Sequence, residues 1–521
     1  MSAHDYDAIP YASRAFPQSQ PEQLAVMGRL FGLAPRLPSE ARVLELGCSA
    51  GGNLLPLAAR YPRARFLGID YSPVQVQRGQ QRVRELGLGN VEIRQQGIAE
   101  FGRDAGPFDY VVCHGVYSWV APEVQGAILA VCRDNLSPDG IAYVSYNTYP
   151  GWKMREVVRD AMLFHTRGLQ DPRDRIAQAR AMVRFTKDIT DPASAFGRML
   201  ADEAGLVEKA EDFYLFHEHL EAYNRPCYFR EFVEAAGAHG LGYLGEAALA
   251  DMAPQRLGPK VHEALQKVSG GNIIATEQYM DFFRNRSFRQ TLLVHGERMA
   301  AVRRTITPQT HRGFLLTCAF VPIAAVRPEG AEAAEFRDPS GRSIRATAPL
   351  LKAFLLELAM RFPRPAAYDE LLAGATALLA GRLVVGDADV AALDAALMRF
   401  LLEGLLRLHL EPIPVGSAGD ARPRSFAPAR AAVLQREEVV ATLRHDTVRL
   451  DGVDSRVLRL LDGELDREGL CDALLQAAVR GEITVRSGDA AVVDPEVLGV
   501  AVGRLLDESL RRFERLALLA A

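Results

Sequence analysis

Cysteine is scarce in this chain. Six residues (Cys48, Cys113, Cys132, Cys227, Cys318 and Cys471) are scattered over 521 positions with no CxxC pair. That spacing argues against both a disulfide framework and a zinc site, and it fits a reducing cytoplasm. Long apolar runs are missing as well: none reaches the roughly 18 residues of a spanning helix, so no membrane span is expected. The opening stretch, MSAHDYDAIPYASRAF, has neither a basic start nor an apolar core of signal-peptide length. Excess charge is small, 61 Lys and Arg against 65 Asp and Glu for a formal -4, so nothing marks nucleic acid as a partner. What remains is 48% hydrophobic and 24% charged, an ordinary globular composition. The length suggests about three or four domains.

One stretch stands out, RVLELGCSAGGNLLPLAARYPRARFLGID from Arg42 to Asp70. Val43 to Leu46 is a short apolar run of the kind found in buried parallel strands. Gly47-Cys48-Ser49-Ala50-Gly51-Gly52 is a turn of small residues, and Asn53 to Tyr61 has apolar residues at helical spacing. Phe66 to Ile69 reads as a second strand ending on Asp70. Strand, glycine turn, helix, strand and acid make the first half of a nucleotide-binding α/β unit. Gly47 and Gly51 let the backbone turn sharply and approach a ligand closely. Asp70 stands where an acid accepts the ribose hydroxyls of an adenosine. Glu45 lies inside an otherwise apolar strand, where a carboxylate reaches loop amides or a ligand ammonium group. An anion there suits a dinucleotide pyrophosphate poorly, which weighs against an NAD-dependent oxidoreductase. A tight βα turn without a ligand is the plainer reading of the glycines alone.

ELGCSAGGN followed by GID resembles motifs I and II of class I S-adenosylmethionine-dependent methyltransferases, with Ser49 where the family has its middle glycine. The resemblance implies an α/β fold with a Rossmann-like, doubly wound sheet of seven strands. It also implies S-adenosyl-L-methionine as cofactor, held by Glu45, Gly47, Ser49, Gly51, Asn53, Asp70 and Tyr71, and no metal. Ser72 and Pro73 predict a helix start, and Asn90 to Arg94 predicts the third strand. Many members carry an acid shortly after that strand for the adenine amino group. Gly97 stands here instead, so backbone and Ile98 are expected at the adenine; Ile98 reads equally well as a core residue.

Phe108 to Cys113 predicts the fourth strand, running into His114-Gly115-Val116-Tyr117-Ser118-Trp119. Ile141 to Ser145 predicts the fifth, running into Tyr146-Asn147-Thr148-Tyr149-Pro150-Gly151-Trp152. In a doubly wound fold these carboxyl ends face the ligand. His114, Tyr117 and Asn147 are the candidate catalytic residues. His114 would also touch the cofactor and take a proton from an amine, and Asn147 would orient the acceptor. Tyr11, Trp119, Tyr146, Tyr149 and Trp152 are candidates for an aromatic substrate channel that attracts a cation and favours its neutral form by desolvation. Each has a structural alternative: a rim histidine bonded to backbone, or an aromatic ring packed under the next helix. Tyr11 with Ser13 reads either as a lid over the cofactor or as an N-terminal strap.

PYAS, VLELGCSAGGNL, FDYVVCHGVYSWV, YNTYPGWK and QYMDFFRNRSFRQTLLVH together resemble one subfamily, class I methyltransferases with a methyltransferase regulatory domain. The rickettsial protein-lysine methyltransferases that modify outer-membrane protein B belong to it. The resemblance implies lysine methylation of a protein substrate and a homodimer. A small-molecule acceptor and a non-catalytic S-adenosylmethionine-binding regulator stand as alternatives. The expected layout is a methyltransferase domain over 1–152, a helical insertion over 153–205, and the last sheet strands within 206–254. A helical regulatory region over 255–320 and two winged-helix-like modules, 321–415 and 416–521, complete it. Phe213 to Leu220 is expected as a strand, with the His217-x-His219 pair structural rather than metal-binding. Tyr279, Phe282 and Phe283 recur at helical spacing and are expected in a core, with Arg284, Arg286 and Arg289 on a solvated or paired face. The winged-helix-like segments lack a basic recognition face, so protein contact is expected of them rather than DNA.

Overall fold

The computed structural model describes residues 13–221, 223–484, 486–487, 490–491 and 495–521; Tyr11 lies outside the described residues. Seven strands make the main sheet: β1 (Arg42–Leu46), β2 (Arg65–Asp70), β3 (Val91–Gln95), β4 (Phe108–Cys113), β5 (Leu136–Asn147), β6 (Leu241–Glu246) and β7 (Phe288–His295). Their order is β3-β2-β1-β4-β5-β7-β6. The run from β3 to β5 is parallel, whereas β7 is antiparallel to both β5 and β6. Alternate residues of each strand serve the two faces. Val43, Phe66, Tyr110 and Tyr143 pack with α1 (Pro21–Leu30) and α2 (Leu54–Arg60), while Leu44, Val111, Val144 and Tyr146 pack with α3 (Pro122–Asn135) and α4 (Phe229–Ala238). The helix over 73–85 starts as expected, with Ser72 Oγ accepting from the Gln75 amide at 3.1 Å.

The expected strand at Phe213 to Leu220 is instead a helix, Asp212–His219. Its aromatics suggest a strand locally, but Leu215 and Phe216 are buried together with His219 and Leu220 one helical turn on. They close a small core with Met162, Val183 and Leu200 from the helices Gly151–Thr166, Pro172–Ile189 and Ala195–Lys209. The four-helix unit therefore extends past 205. Only β6 of the main sheet lies in 206–254, and the remaining strand is β7, inside the stretch expected to be helical. Wedged between β5 and β6, β7 is covered on both faces and loses the alternation that marks a half-exposed strand.

One further expectation near β7 changes: Tyr279, Phe282 and Phe283 are exposed rather than in a core. Of the two readings of the arginines, Arg289 takes the paired one, and it is fully buried, 2.9 Å from each of Glu246, Glu277 and Asp281. Arg286 joins the same cluster at 2.8 Å from Glu246.

Past the sheet lie the hairpin Ala334–Arg337/Ser343–Ala346 and the helix Pro349–Arg361. The C-terminal module carries the hairpin Val439–Ala441/Thr447–Arg449 and the helices Gly452–Leu460, Arg467–Val479 and Pro495–Arg515. It docks on the methyltransferase domain. Ala59 of α2 packs against its core, and Gln435 Nε2 donates to Glu85 Oε2 at 2.8 Å. Among the described residues no helix is long and apolar enough to cross a membrane.

Candidate active site

The turn after β1 is built from backbone demands that its residues meet. Gly47 has φ +73, and a Cβ there would come 2.6 Å from Val116 Cγ2. Ser49 has φ +50, a left-handed conformation uncommon for a residue with a side chain. Its amide donates to Asp70 Oδ2 at 2.7 Å, while Asp70 Oδ1 accepts from the Ser72 amide at 2.9 Å. Asp70 thus ties the turn after β1 to the one after β2. The N-terminal arm lies over the same turn, with Ser13 Oγ accepting from the Gly52 amide at 2.7 Å.

Glu45 is buried, its Oε1 accepting from Asn53 Nδ2 at 2.8 Å. Its Oε2 is also buried and has no hydrogen-bond partner, nor has Ser49 Oγ. Burial pushes the Glu45 carboxyl up to about 8; the Asn53 hydrogen bond opposes this and the charge of Asp70 adds to it. Asn53 is held from the other side, its Oδ1 accepting from the Phe16 amide at 2.9 Å and from His445 Nε2 at 2.8 Å.

A cavity of about 750 Å³ runs along the carboxyl edge of the sheet. On the β2–β3 side it is lined by Asp70, Tyr71, Gly97 and Ile98, and in the middle by Glu45, Gly47, Ser49 and Asn53. On the β4–β5 side it is lined by His114, Trp119 and Asn147, then by Trp152, Tyr214, Glu218 and Tyr223. Trp119 and Trp152 meet edge to face at 6.0 Å, and Asn147 Nδ2 donates to Asn224 Oδ1 at 3.0 Å.

His114 Nδ1 lies 2.8 Å from the Tyr143 hydroxyl and 3.2 Å from Ser145 Oγ, and Phe16 covers the ring at 3.9 Å. Burial pushes His114 down to about 4, so it is neutral at pH 7 and a weak base.

Several sequence candidates sit elsewhere. Tyr146 stacks on Phe232 at 4.0 Å with its hydroxyl 3.1 Å from Thr291, and Tyr117 meets the same ring edge to face at 5.1 Å; both belong to the core under α4. The pleat explains the placement of Tyr146, which shares a face with Val144 and not with Tyr143 and Ser145, which flank His114. Tyr149 lies outside the cavity, donating to Glu156 at 2.6 Å under the Lys153 ammonium. Gly51 shapes the turn without lining the cavity.

Sequence reasoning missed Phe16, Tyr214, Glu218 and Tyr223. Burial pushes Glu218 up to about 7 against the attraction of Arg155. Reading its segment as a strand hid it; as a helix, the segment turns Tyr214 and Glu218, four apart, toward the same cavity. His217 and His219 are buried in the helical unit, and among the described residues no cluster of three metal-ligating side chains exists.

Known proteins match this architecture along its length. Residues 43–140 match the family described as Methyltransferase domain, 211–295 the Predicted methyltransferase regulatory domain, and 421–518 the PKMT C-terminal winged helix domain. PKMT2 from Rickettsia typhi, solved in complex with AdoHcy, superposes with a TM-score of 0.89 at 30% identity, over 98% of this chain and 100% of that one. An uncharacterised protein of Rickettsia prowazekii is 33% identical over 99% of this chain and 93% of its own length. The chain belongs to the PKMT family of methyltransferases. It is an S-adenosylmethionine-dependent enzyme with the class I fold and a C-terminal winged-helix domain. A trans-aconitate 2-methyltransferase of Methylobacterium nodulans shares 29% identity over 26% of this chain and 47% of its own length.

Proposed function

We propose that this chain methylates lysine side chains of a protein substrate. The observation that carries the reading is that one cavity joins Glu45 and Asp70 to an end lined by Trp119, Trp152, Tyr214, Tyr223 and Glu218. The cofactor end fits S-adenosylmethionine by its own chemistry. The unpartnered Glu45 Oε2 and Ser49 Oγ suit an ammonium group, Asp70 suits ribose hydroxyls, and Gly97 with Ile98 suits a flat base. Bound there, the cofactor supplies a methyl group on a positively charged sulfur.

The other end suits a cationic amine. Ring faces attract an ammonium, and the carboxylate of Glu218 can receive its proton. A lysine, with a reference pKa of about 10.4, must lose that proton before its nitrogen can attack. The walls lower its pKa by desolvation, and Glu218, pushed up to about 7, is a better acceptor than an ordinary carboxylate or than His114. The nitrogen lone pair then forms the C–N bond while the C–S pair stays on sulfur. The residues chiefly align acceptor and donor, with Asn147 at the rim.

The free cysteines support a cytoplasmic setting. The exposed Phe164, Phe185 and Ile189 of the helical unit support a homodimer. The test is incubation with cell fractions and methyl-labelled S-adenosylmethionine, followed by acid hydrolysis. Label recovered as methyl-lysine supports the reading; label found only in small molecules overturns it.

A further inference from the structure

We infer that His445 of the C-terminal module is a positioning residue of the cofactor site, acting through Asn53 on Glu45. The inference rests on the reading of Glu45 as the partner of the cofactor's ammonium group.

His445 and Asn53 are 392 residues apart, yet His445 Nε2 lies 2.8 Å from Asn53 Oδ1 with both side chains buried. The direction of the bond is settled by chemistry. The Phe16 amide can only donate, and at 2.9 Å it identifies the facing atom of Asn53 as its oxygen. Nε2 must therefore carry the hydrogen. The ring is neutral, because burial and then the nearby Arg60 push it down to about 3. With two donors on Oδ1, the amide cannot flip, and Nδ2 is left facing Glu45 Oε1 at 2.8 Å and Ser19 Oγ at 3.1 Å. Glu45 is thereby held with Oε2 unpartnered.

The turn that delivers His445 is braced for the task. His445 has φ +62, its amide donates to Thr442 O at 2.9 Å, and Asp446 beside it is clamped by Arg444 and by Arg407, the latter at 3.0 Å. Docking of the module does not need the His445 bond. Gln435 with Glu85, Arg82 with Glu437, and Arg364 with Glu514 at 2.7 Å already hold it. The bond instead makes the winged-helix module a structural part of the cofactor site.

The test uses the full chain with His445→Gly and His445→Gln, titrated with S-adenosylhomocysteine by calorimetry. Glycine takes the left-handed turn without cost and removes the donor; glutamine offers an amide donor of similar reach. His445→Gly is expected to weaken binding about five- to tenfold. The KM for S-adenosylmethionine rises in proportion while kcat stays within about twofold. His445→Gln recovers most of the affinity. In the Glu45→Gln background the same His445→Gly change is expected to cost much less, as required of residues acting in series. Should His445→Gly not fold, His445→Asn, which tolerates the turn but is too short to reach Asn53, carries the same expectations. Unchanged affinity in a folded variant, or a loss of equal size in the Glu45→Gln background, overturns the inference. A wild-type chain that fails to bind S-adenosylhomocysteine at all overturns the cofactor reading instead.

Discussion

With Glu45 read as the partner of the cofactor's ammonium group, cofactor binding is expected to depend on pH in a calculable way. In the empty site the carboxyl keeps its proton up to about 8, against an ordinary 4.5, a gap worth about 5 kcal/mol at most. As pH rises from about 4.5 to about 8, the unfolded chain surrenders this proton and the folded chain does not. Stability of the empty protein therefore falls across that window. On this reading a ligand ammonium pairs with the ionised carboxylate, and binding below pH 8 is expected to expel the proton. At pH 6.5 close to one proton is expected to leave per S-adenosylhomocysteine bound. Affinity should tighten by nearly tenfold per pH unit between about 6 and 7.5. Calorimetry in buffers of different ionisation enthalpy counts the proton, and titrations across the range give the slope. Glu45→Gln keeps an acceptor for Asn53 but has no proton to release. It should bind about 10- to 100-fold more weakly at pH 8, with a flat profile, and the empty variant should melt higher than wild type there. A wild-type protein that binds with no proton release and no slope between pH 6 and 7.5 would falsify the assignment.

Glu218→Gln is expected to lower kcat by about a hundredfold with S-adenosylhomocysteine affinity unchanged. The wild-type rate should rise with pH through about 7 as Glu218 ionises, and that limb should vanish in the variant's pH–rate profile. Gly52→Ala places a Cβ 2.3 Å from the Ser13 backbone, so the arm must lift from the turn. Limited proteolysis near Ser13 should become faster and cofactor affinity should fall; an arm as resistant as wild type would count against it. Arg289→Ala strands Glu246, Glu277 and Asp281 in a buried site. The expected cost is about 3–5 kcal/mol in urea unfolding at pH 7, shrinking in acid as the stranded carboxylates take up protons.

The stretch from Arg42 to Asp70 was readable because its requirements are local. A left-handed turn, a close approach to Val116 and an acid at a strand end each demand particular residue types at fixed offsets, whatever surrounds them. The class I sheet and the C-terminal winged-helix module were legible through the family that these motifs resemble, although the position of the last strand, β7, was not. The orientation of the rim aromatics was not. Trp119 and Trp152 line the cavity while Tyr117 and Tyr146, close by in the chain, pack on Phe232. Strand pleat and a helix some eighty residues away choose between those fates. Likewise Asp212–His219 became a helix, and with it Glu218 reached the cavity, because a core could be closed only by a helical face. The hydrogen bond between His445 and Asn53 spans most of the chain and has no signature at either end. Residue type settles what a backbone can do over a few positions; which side chains meet in a cleft depends on how distant segments compete for the same buried space.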